Sequence, residues 1–106
     1  RIPVKIVILN NNFLGMVRQW QEMFFNSRYA STEMVNPDFV TLASAYGITA
    51  RKITSREDLK PVAAEMLGSE GPFILVAEVS RTANILPMVE PGASVSEVTL
   101  TYNSKS

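Results

Sequence analysis

Cysteine and histidine are both absent from the 106-residue sequence. The chain therefore has no disulfides, no thiolate nucleophile, no imidazole base and none of the usual zinc ligands. Any chemistry in which it takes part uses carboxylates, amides, backbone groups or a cofactor.

A surplus of charge of either sign is also absent, because ten acidic residues balance ten basic ones. No net field would attract the chain to nucleic acid or to an anionic membrane surface. No apolar run approaches the length of a membrane span, and the amino terminus lacks the pattern of a signal peptide. We therefore expect a soluble intracellular protein, with no nucleic acid and no membrane among its partners.

Strand patterns and helix patterns follow one another along the chain, whose length allows one small domain or part of one. The order strand, helix, helix, strand, helix, strand predicts right-handed crossovers and a parallel sheet. The predicted fold is α/β, a three-layer parallel sheet with helices on both faces. Strands are predicted at residues 2–9, 48–54 and 73–79, and helices at residues 14–25, 36–46 and 55–68.

Details of the pattern refine this prediction. Residues 2–9 are apolar almost throughout, as in a strand covered on both faces, whereas the alternating residues 48–54 indicate a strand nearer the sheet edge. Asn-Pro-Asp at residues 36–38 predicts an Asn cap with Pro at the first helical position. Ser55, followed by Glu57 and Asp58, resembles a capping box.

Asn10, Asn11 and Asn12 close the first predicted strand. Ligands of open parallel sheets bind outside the carboxyl ends of the strands, and amide oxygens beside a helix start suit a hard cation with a phosphate. Magnesium usually also takes a carboxylate, and no Asp or Glu stands at residues 10–13, so such a site is incomplete. On the pattern alone, turn and cap roles are the more frequent explanation of three asparagines after a strand, and packing alone is the more frequent explanation of Trp20.

A longer pattern appears in the run VKIVILNNNFLGMVRQWQEMFF at residues 4–25. It closely resembles acetolactate synthase, also called acetohydroxyacid synthase. Thiamine-diphosphate enzymes generally share the Asn-Asn pair, and the continuation Gly-Met-Val-x-Gln-Trp narrows the resemblance to this family. Matches continue in order over about four-fifths of the chain, with RY at 28–29, NPDFV at 36–40, LA at 42–43, AYGI at 45–48 and LPMV at 86–89.

The resemblance implies that residues 1–100 are the carboxy-terminal half of a thiamine-diphosphate-binding domain in a large catalytic subunit. Residues 101–106 are expected to form a frayed tail, because terminal residues are commonly poorly ordered. The family decarboxylates pyruvate on thiamine diphosphate and condenses the product with a second 2-ketoacid, in branched-chain amino-acid biosynthesis. Its cofactor motif opens with Gly-Asp-Gly and closes with Asn-Asn, and only the closing half is present. We therefore expect the isolated chain to be inactive.

Carried over by position, Asn11 resembles the family's magnesium ligand through its side-chain oxygen, and Phe13 the ligand through its backbone carbonyl. Gly15 would let the backbone approach thiamine diphosphate. Met16 and Val17 would line the cofactor and active-site cavity.

Two aromatic residues of the same helix are implied to serve the second substrate. Trp20 would face the channel of the second 2-ketoacid, where a large indole selects among acceptors by shape, and Phe24 would support that wall. Pro91 and Gly92 fall where the family's carboxy-terminal loop closes over the entrance. The glutamate that activates the cofactor belongs to another domain, from a partner subunit, and has no counterpart in this chain.

The implied partners are the remainder of the catalytic subunit, a second catalytic subunit, the family's regulatory subunit and 2-ketoacid substrates. The implied location is cytoplasmic, or plastidic in a plant. Two alternatives stay open: a non-catalytic, self-associating α/β unit, and another thiamine-diphosphate-dependent 2-ketoacid oxidase or decarboxylase.

Overall fold

The computed structural model describes residues 2–102. Its helices and strands follow the predicted order, and two short strands come after them. They are β1 (Lys5–Asn10), α1 (Gly15–Phe24), α2 (Phe39–Ala45), β2 (Thr49–Ile53), α3 (Arg56–Gly68), β3 (Phe73–Glu78), β4 (Met88–Val89) and β5 (Val98–Thr99).

The described chain divides into two compact units. The sheet unit comprises residues 2–12 and 35–80, and the α1 unit comprises residues 13–34 and 81–102. No helix among the described residues is long and apolar enough to cross a membrane.

The sheet unit contains a parallel sheet of order β1-β3-β2. Leu75 of the central strand pairs with Val7 on one side and with Arg51 on the other. The position of β2 at a sheet edge confirms the expectation from its alternating pattern. Both pairings are parallel, although β1 pairs with β3 and not with the next strand in sequence, β2. Parallel strands connected through helices are the predicted α/β arrangement.

The two helices of the sheet unit cover opposite faces of β2 and β3. On one face, Phe73, Leu75 and Ala77 form the core with Ile53 and with Met66 of α3. The opposite face carries Val76 and Glu78, which line a cleft together with residues of α2. Alternate side chains of a strand point to opposite faces, so this division confirms the predicted helix, sheet and helix layers.

The prediction that β1 is covered on both faces is wrong for this chain. The side chains of Ile6, Val7 and Leu9 are exposed, and Leu9 keeps 70% of its surface accessible. The reason is that the helices of the sheet unit pack mainly on β2 and β3.

The cap of α2 differs from the prediction, because Asp38, not Asn36, is the N-cap. Its carboxylate accepts hydrogen bonds from the amides of Val40, at 2.9 Å, and Thr41, at 3.1 Å. Pro37 consequently precedes the helix. The side chain of Asn36 donates from its Nδ2 to Asn10 Oδ1 at 2.8 Å and so contacts the end of β1.

The capping box predicted for α3 is also wrong. Ser55 is the N-cap residue, yet its side chain makes no capping hydrogen bond to the backbone. Its hydroxyl instead donates to Asp58 Oδ2 at 3.0 Å. The first turn keeps the acids Glu57 and Asp58, which favour the positive end of the helix dipole.

In the α1 unit, two glutamines of α1 bind backbone groups of the flanking segments. Gln21 exchanges two hydrogen bonds with Ala30, at 2.9 and 3.0 Å, and Gln19 does the same with Ile85, at 2.8 Å each. The segment at residues 26–35 contains no helix or strand, as predicted, apart from an isolated bridge between Phe13 and Glu33. These contacts attach both flanking segments to α1.

The carboxy-terminal segment is mostly irregular, as expected, apart from the antiparallel pair β4 and β5. Of the tail predicted to fray at residues 101–106, residues 103–106 lie outside the described part. The hydroxyl of Tyr102 donates to the Glu22 carbonyl at 3.0 Å.

Candidate functional site

The turn at the carboxyl end of β1 is the first part of the candidate site. Asn10 is the last residue of β1, and only 8% of its surface is exposed. Asn12 has a φ of 56°, in the left-handed region that Asn tolerates better than most residues. The Asn12 amide donates to Asn10 Oδ1 at 3.3 Å, which is an Asx turn. Asn11 lies between them, half-buried.

Beside this turn, the ends of all three strands contribute polar groups to a cleft of about 250 Å³. Asn10 pairs in register with Glu78 at the end of β3, and its Nδ2 lies 3.3 and 3.4 Å from the two carboxylate oxygens. Lys52, near the end of β2, lies 3.4 Å from Glu78. We call this the polar cleft; its lining consists of Asn10, Asn12, Asn36, Pro37, Asp38, Phe39, Val40, Lys52, Val76 and Glu78.

Among the residues that line the polar cleft, Asp38 has a carboxyl group with a lowered pKa. The pKa of its carboxyl lies below 3.8, chiefly because the ionised form accepts the hydrogen bond from the Thr41 amide. The Val40 amide and the charge of Lys52 lower the pKa further, and desolvation opposes them. Asp38 is therefore an anion at neutral pH.

The residues matched to the family's cofactor site fall in both units. Asn11 belongs to the sheet unit, and Phe13, Gly15, Met16 and Val17 belong to the α1 unit. Gly15 is the first residue of α1, and the side chains of Met16 and Val17 in its first turn are about half exposed.

Trp20 and Phe24 form one aromatic pair on α1. Their ring centres are 6.1 Å apart with an interplanar angle of 79°, an edge-to-face contact. Trp20 retains 40% exposure, so the indole is accessible as well as packed. Packing is part of its role, as the sequence pattern allowed.

Phe13 is held by contacts that sequence reasoning missed. The guanidinium carbons of Arg18 and Arg81 lie 5.4 and 5.0 Å from the centre of its ring. Arg18 also lies 4.8 Å from the ring of Tyr29. The Phe13 backbone forms the isolated bridge with Glu33. No local pattern predicts a contact from Arg81, which is distant in sequence.

The oxygens offered by Asn11 and Phe13 are neutral amide and carbonyl groups, a chemistry that suits Mg²⁺. A carboxylate usually completes such a set. Among the described residues, no group of three or more His, Cys, Asp or Glu side chains could hold a metal ion. The donor chemistry fits a hard cation, and the donor set within the described chain is partial.

Residues 1–77 match the protein family described as thiamine pyrophosphate enzyme, C-terminal TPP binding domain. The chain belongs to this family. Thiamine pyrophosphate, or TPP, is the thiamine diphosphate expected from the sequence, so the cofactor class is confirmed. The carboxyl ends of the strands, where the Asn turn lies, are the usual ligand-binding edge of such a sheet.

Curated relatives of this chain are acetolactate synthases. It is 46% identical over 99 residues to the acetolactate synthase isozyme 2 large subunit of Escherichia coli, covering 92% of this chain and 18% of the relative. It is 47% identical over 95 residues to the large subunit of Parasynechococcus marenigrum, covering 88% of this chain and 15% of the relative. It is 42% identical over 95 residues to the mitochondrial catalytic subunit of Saccharomyces cerevisiae, covering 90% of this chain and 14% of the relative. These findings confirm the resemblance, and the chain spans less than one-fifth of the length of each of these relatives.

A solved structure supports the fold of this chain. The thiamine diphosphate-dependent 4-hydroxybenzoylformate decarboxylase of Rhodococcus jostii RHA1 superposes with a TM-score of 0.66 and 26% identity. The superposition covers 74% of this chain and 15% of the decarboxylase.

Proposed function

We propose that the chain is part of an acetolactate synthase catalytic subunit. The whole enzyme decarboxylates pyruvate on thiamine diphosphate and condenses the product with a second 2-ketoacid, in branched-chain amino-acid biosynthesis. The observation that carries this proposal is the 46% identity over 99 residues to an acetolactate synthase large subunit. Residues 1–100 form the carboxy-terminal half of the TPP-binding domain in this proposal.

In this proposal Mg²⁺ is held by the Asn11 side-chain oxygen and the Phe13 backbone carbonyl. Both are oxygen donors of the kind that Mg²⁺ prefers. Gly15 brings the backbone close to thiamine diphosphate, and Met16 and Val17 line the cavity around it. The partial exposure of Met16 and Val17 supports this role, because it leaves their side chains accessible to a ligand.

The acceptor channel is formed in this proposal by Trp20, with Phe24 supporting it. Their edge-to-face contact supports the role of Phe24, because the contact limits the orientations of the indole. A fixed indole discriminates between acceptor 2-ketoacids by shape.

Thiamine diphosphate, when bound, supplies the chemistry that cleaves the 2-ketoacid, and the protein contributes binding and orientation. The chain contributes only part of a metal site and no activating glutamate. The remainder of the subunit and a second catalytic subunit are therefore required partners, with a regulatory subunit as a further partner. The isolated chain is inactive in this proposal, and the location is cytoplasmic or, in a plant, plastidic.

The test is a chimera in which residues 1–100, the proposed half-domain, replace the homologous segment of the Escherichia coli isozyme 2 large subunit. We expect Mg²⁺-dependent formation of acetolactate from pyruvate. Asn11→Ala in the chimera should abolish it, and Asn26→Gly, at an exposed turn whose φ of 52° glycine readily adopts, should not. Acetolactate formed by the isolated chain would refute its predicted inactivity.

The same chimera tests the alternative that the parent is a 2-ketoacid decarboxylase, which the likeness to the Rhodococcus decarboxylase favours. Release of acetaldehyde in place of acetolactate by a fully assembled chimera would support that alternative. The higher identity to acetolactate synthases supports the synthase.

A further inference from the structure

The side-chain carboxamide of Asn10 makes hydrogen bonds with three residues, Asn12, Asn36 and Glu78. Its oxygen accepts from Asn36 Nδ2 at 2.8 Å and from the Asn12 amide at 3.3 Å. Its nitrogen donates towards both carboxylate oxygens of Glu78. The Asn10 backbone carbonyl accepts from the Val79 amide at 3.0 Å. This buried residue is therefore fixed in both backbone and side chain.

Glu78 determines which way the Asn10 carboxamide faces. An ionised carboxylate only accepts hydrogen bonds, so it selects the orientation with the Asn10 nitrogen towards it. The opposite orientation would place two oxygens together and would turn the nitrogen towards the Asn12 N–H, which is itself a donor. Lys52 Nζ lies 3.4 Å from Glu78 Oε1 and forms an ion pair with this carboxylate.

Asn36 holds the other side of the same turn. Its Nδ2 reaches Asn10 Oδ1 and also lies 3.4 Å from Asn12 Oδ1. It thus connects the two residues that flank Asn11, one of which has the left-handed backbone conformation. Such a conformation persists in a non-glycine residue when surrounding contacts over-determine it.

We propose that Asn36 and Glu78 are positioning residues that set the shape of the Asn10-Asn11-Asn12 turn and so the direction of the Asn11 side chain. This inference deepens the proposed function and rests on it, since it assigns Asn11 as the residue being presented to Mg²⁺. Neither residue touches the metal or the cofactor in this account. They act through Asn10 and Asn12.

The test uses the full chain, labelled with ¹⁵N and studied by NMR. Asn36→Asp removes the donor without changing side-chain size, and Glu78→Gln replaces the acceptor-only carboxylate with an amide that can face either way. Asn26→Asp and Glu70→Gln make the same chemical changes at exposed positions and are the matched controls.

We expect the Asn12 amide to exchange with solvent about three- to tenfold faster in both test variants, the range that the loss of one hydrogen bond produces. The Asn11 resonances should shift in both, while exchange of Val76 in the central strand stays unchanged. The controls should match the wild type. Asn36→Ala, which adds no charge beside Asn10, replaces any Asn36→Asp sample in which Val76 loses protection.

Unchanged exchange at Asn12 and unchanged Asn11 resonances in folded variants would overturn the inference. Activation of the chimera by Mg²⁺ separates this outcome from failure of the proposed function. A higher Mg²⁺ midpoint in chimeras that carry Asn36→Asp or Glu78→Gln supports both ideas. A chimera that stays active with Asn11→Ala contradicts the metal role of Asn11, whereas the exchange of Asn12 in the chain itself still decides whether Asn36 and Glu78 shape the turn.

Discussion

The side-chain amide of Gln19 makes two hydrogen bonds with the backbone of Ile85, one donated and one accepted, each 2.8 Å long. Gln19 has only 2% of its surface exposed, and its nitrogen also lies 3.3 Å from the sulfur of Met88. A buried glutamine with both polar atoms satisfied acts as a fixed link between α1 and the irregular segment that follows β3.

Replacement of Gln19 should therefore loosen that segment. Gln19→Leu keeps the approximate volume and leaves the Ile85 N–H and carbonyl without partners, at a cost of about 1–3 kcal/mol in unfolding free energy. Denaturant unfolding and amide exchange at Ile85 measure the effect. Gln21→Leu is the comparison, because Gln21 makes the same pair of bonds to Ala30 but these bonds are exposed, so their loss should cost less. Equal costs for the two variants would show that burial of the Gln19 link is unimportant.

The cluster of Phe13, Arg18 and Arg81 predicts a measurable coupling between a ring and a distant cation. In a double-mutant cycle, Phe13→Leu and Arg81→Gln should show a coupling of about 0.5–1 kcal/mol, typical of an exposed cation–π contact. Arg81 also pairs with Glu33 at 2.9 Å, so Glu33→Gln is the control that removes only the ion pair. Additive effects of the Phe13 and Arg81 changes would contradict an energetic contact.

Periodicity predicted most of the sheet unit because burial dictates side-chain identity there. In β2, the neighbours Arg51 and Lys52 point to opposite faces, and each finds a carboxylate on its own side, Glu65 and Glu78 respectively. This alternation was readable from Ile48 to Thr54 without any tertiary information. The order of elements followed in the same way.

The N-cap of α2 and the burial of β1 were harder to predict from the sequence, because both depend on tertiary contacts. Asn36 is a residue type favoured at caps, but Asp38 supplies the capping oxygen, and the Nδ2 of Asn36 makes a tertiary hydrogen bond to Asn10. The apolar sequence of β1 indicates a strand buried on both faces, but the helices of the sheet unit pack mainly on β2 and β3 and leave much of β1 exposed.

The sequence predicted the Asn turn of the candidate site but not the two residues, Asn36 and Glu78, that contact it. Local sequence identifies the Asn turn, because three asparagines follow a strand. Asn36 and Glu78 are joined to that turn only by the register of β1 with β3 and by the path of the loop before α2. Such long-range relationships leave no local pattern, so they required the structure.

Acid should weaken α2 through its N-cap. The folded-state pKa of Asp38 lies below 3.8, so its capping contribution is complete above the unfolded-state pKa and is lost as pH falls through the lower folded value. Amide exchange of Val40 and Thr41 followed from about pH 5 to about pH 2 should show this loss. Asp38→Asn retains a capping oxygen and removes the titration, so its exchange should lack the acid-dependent step. The same acid-dependent step in the Asn variant would contradict the assignment to Asp38.

The exposed apolar side chains of β1 predict that the isolated chain self-associates. Unpaired strand edges and exposed apolar side chains favour pairing with another copy. Leu9→Lys places a charge on β1 at a position that is 70% exposed, so it should lower the average mass in solution at little cost in stability. Sedimentation velocity over a concentration series measures this mass. Val35→Lys adds the same charge to the sheet unit outside any strand, at a residue that is 98% exposed, and should leave association unchanged. A wild type that stays monomeric at all concentrations, or an equal effect of both changes, would show that β1 does not mediate self-association.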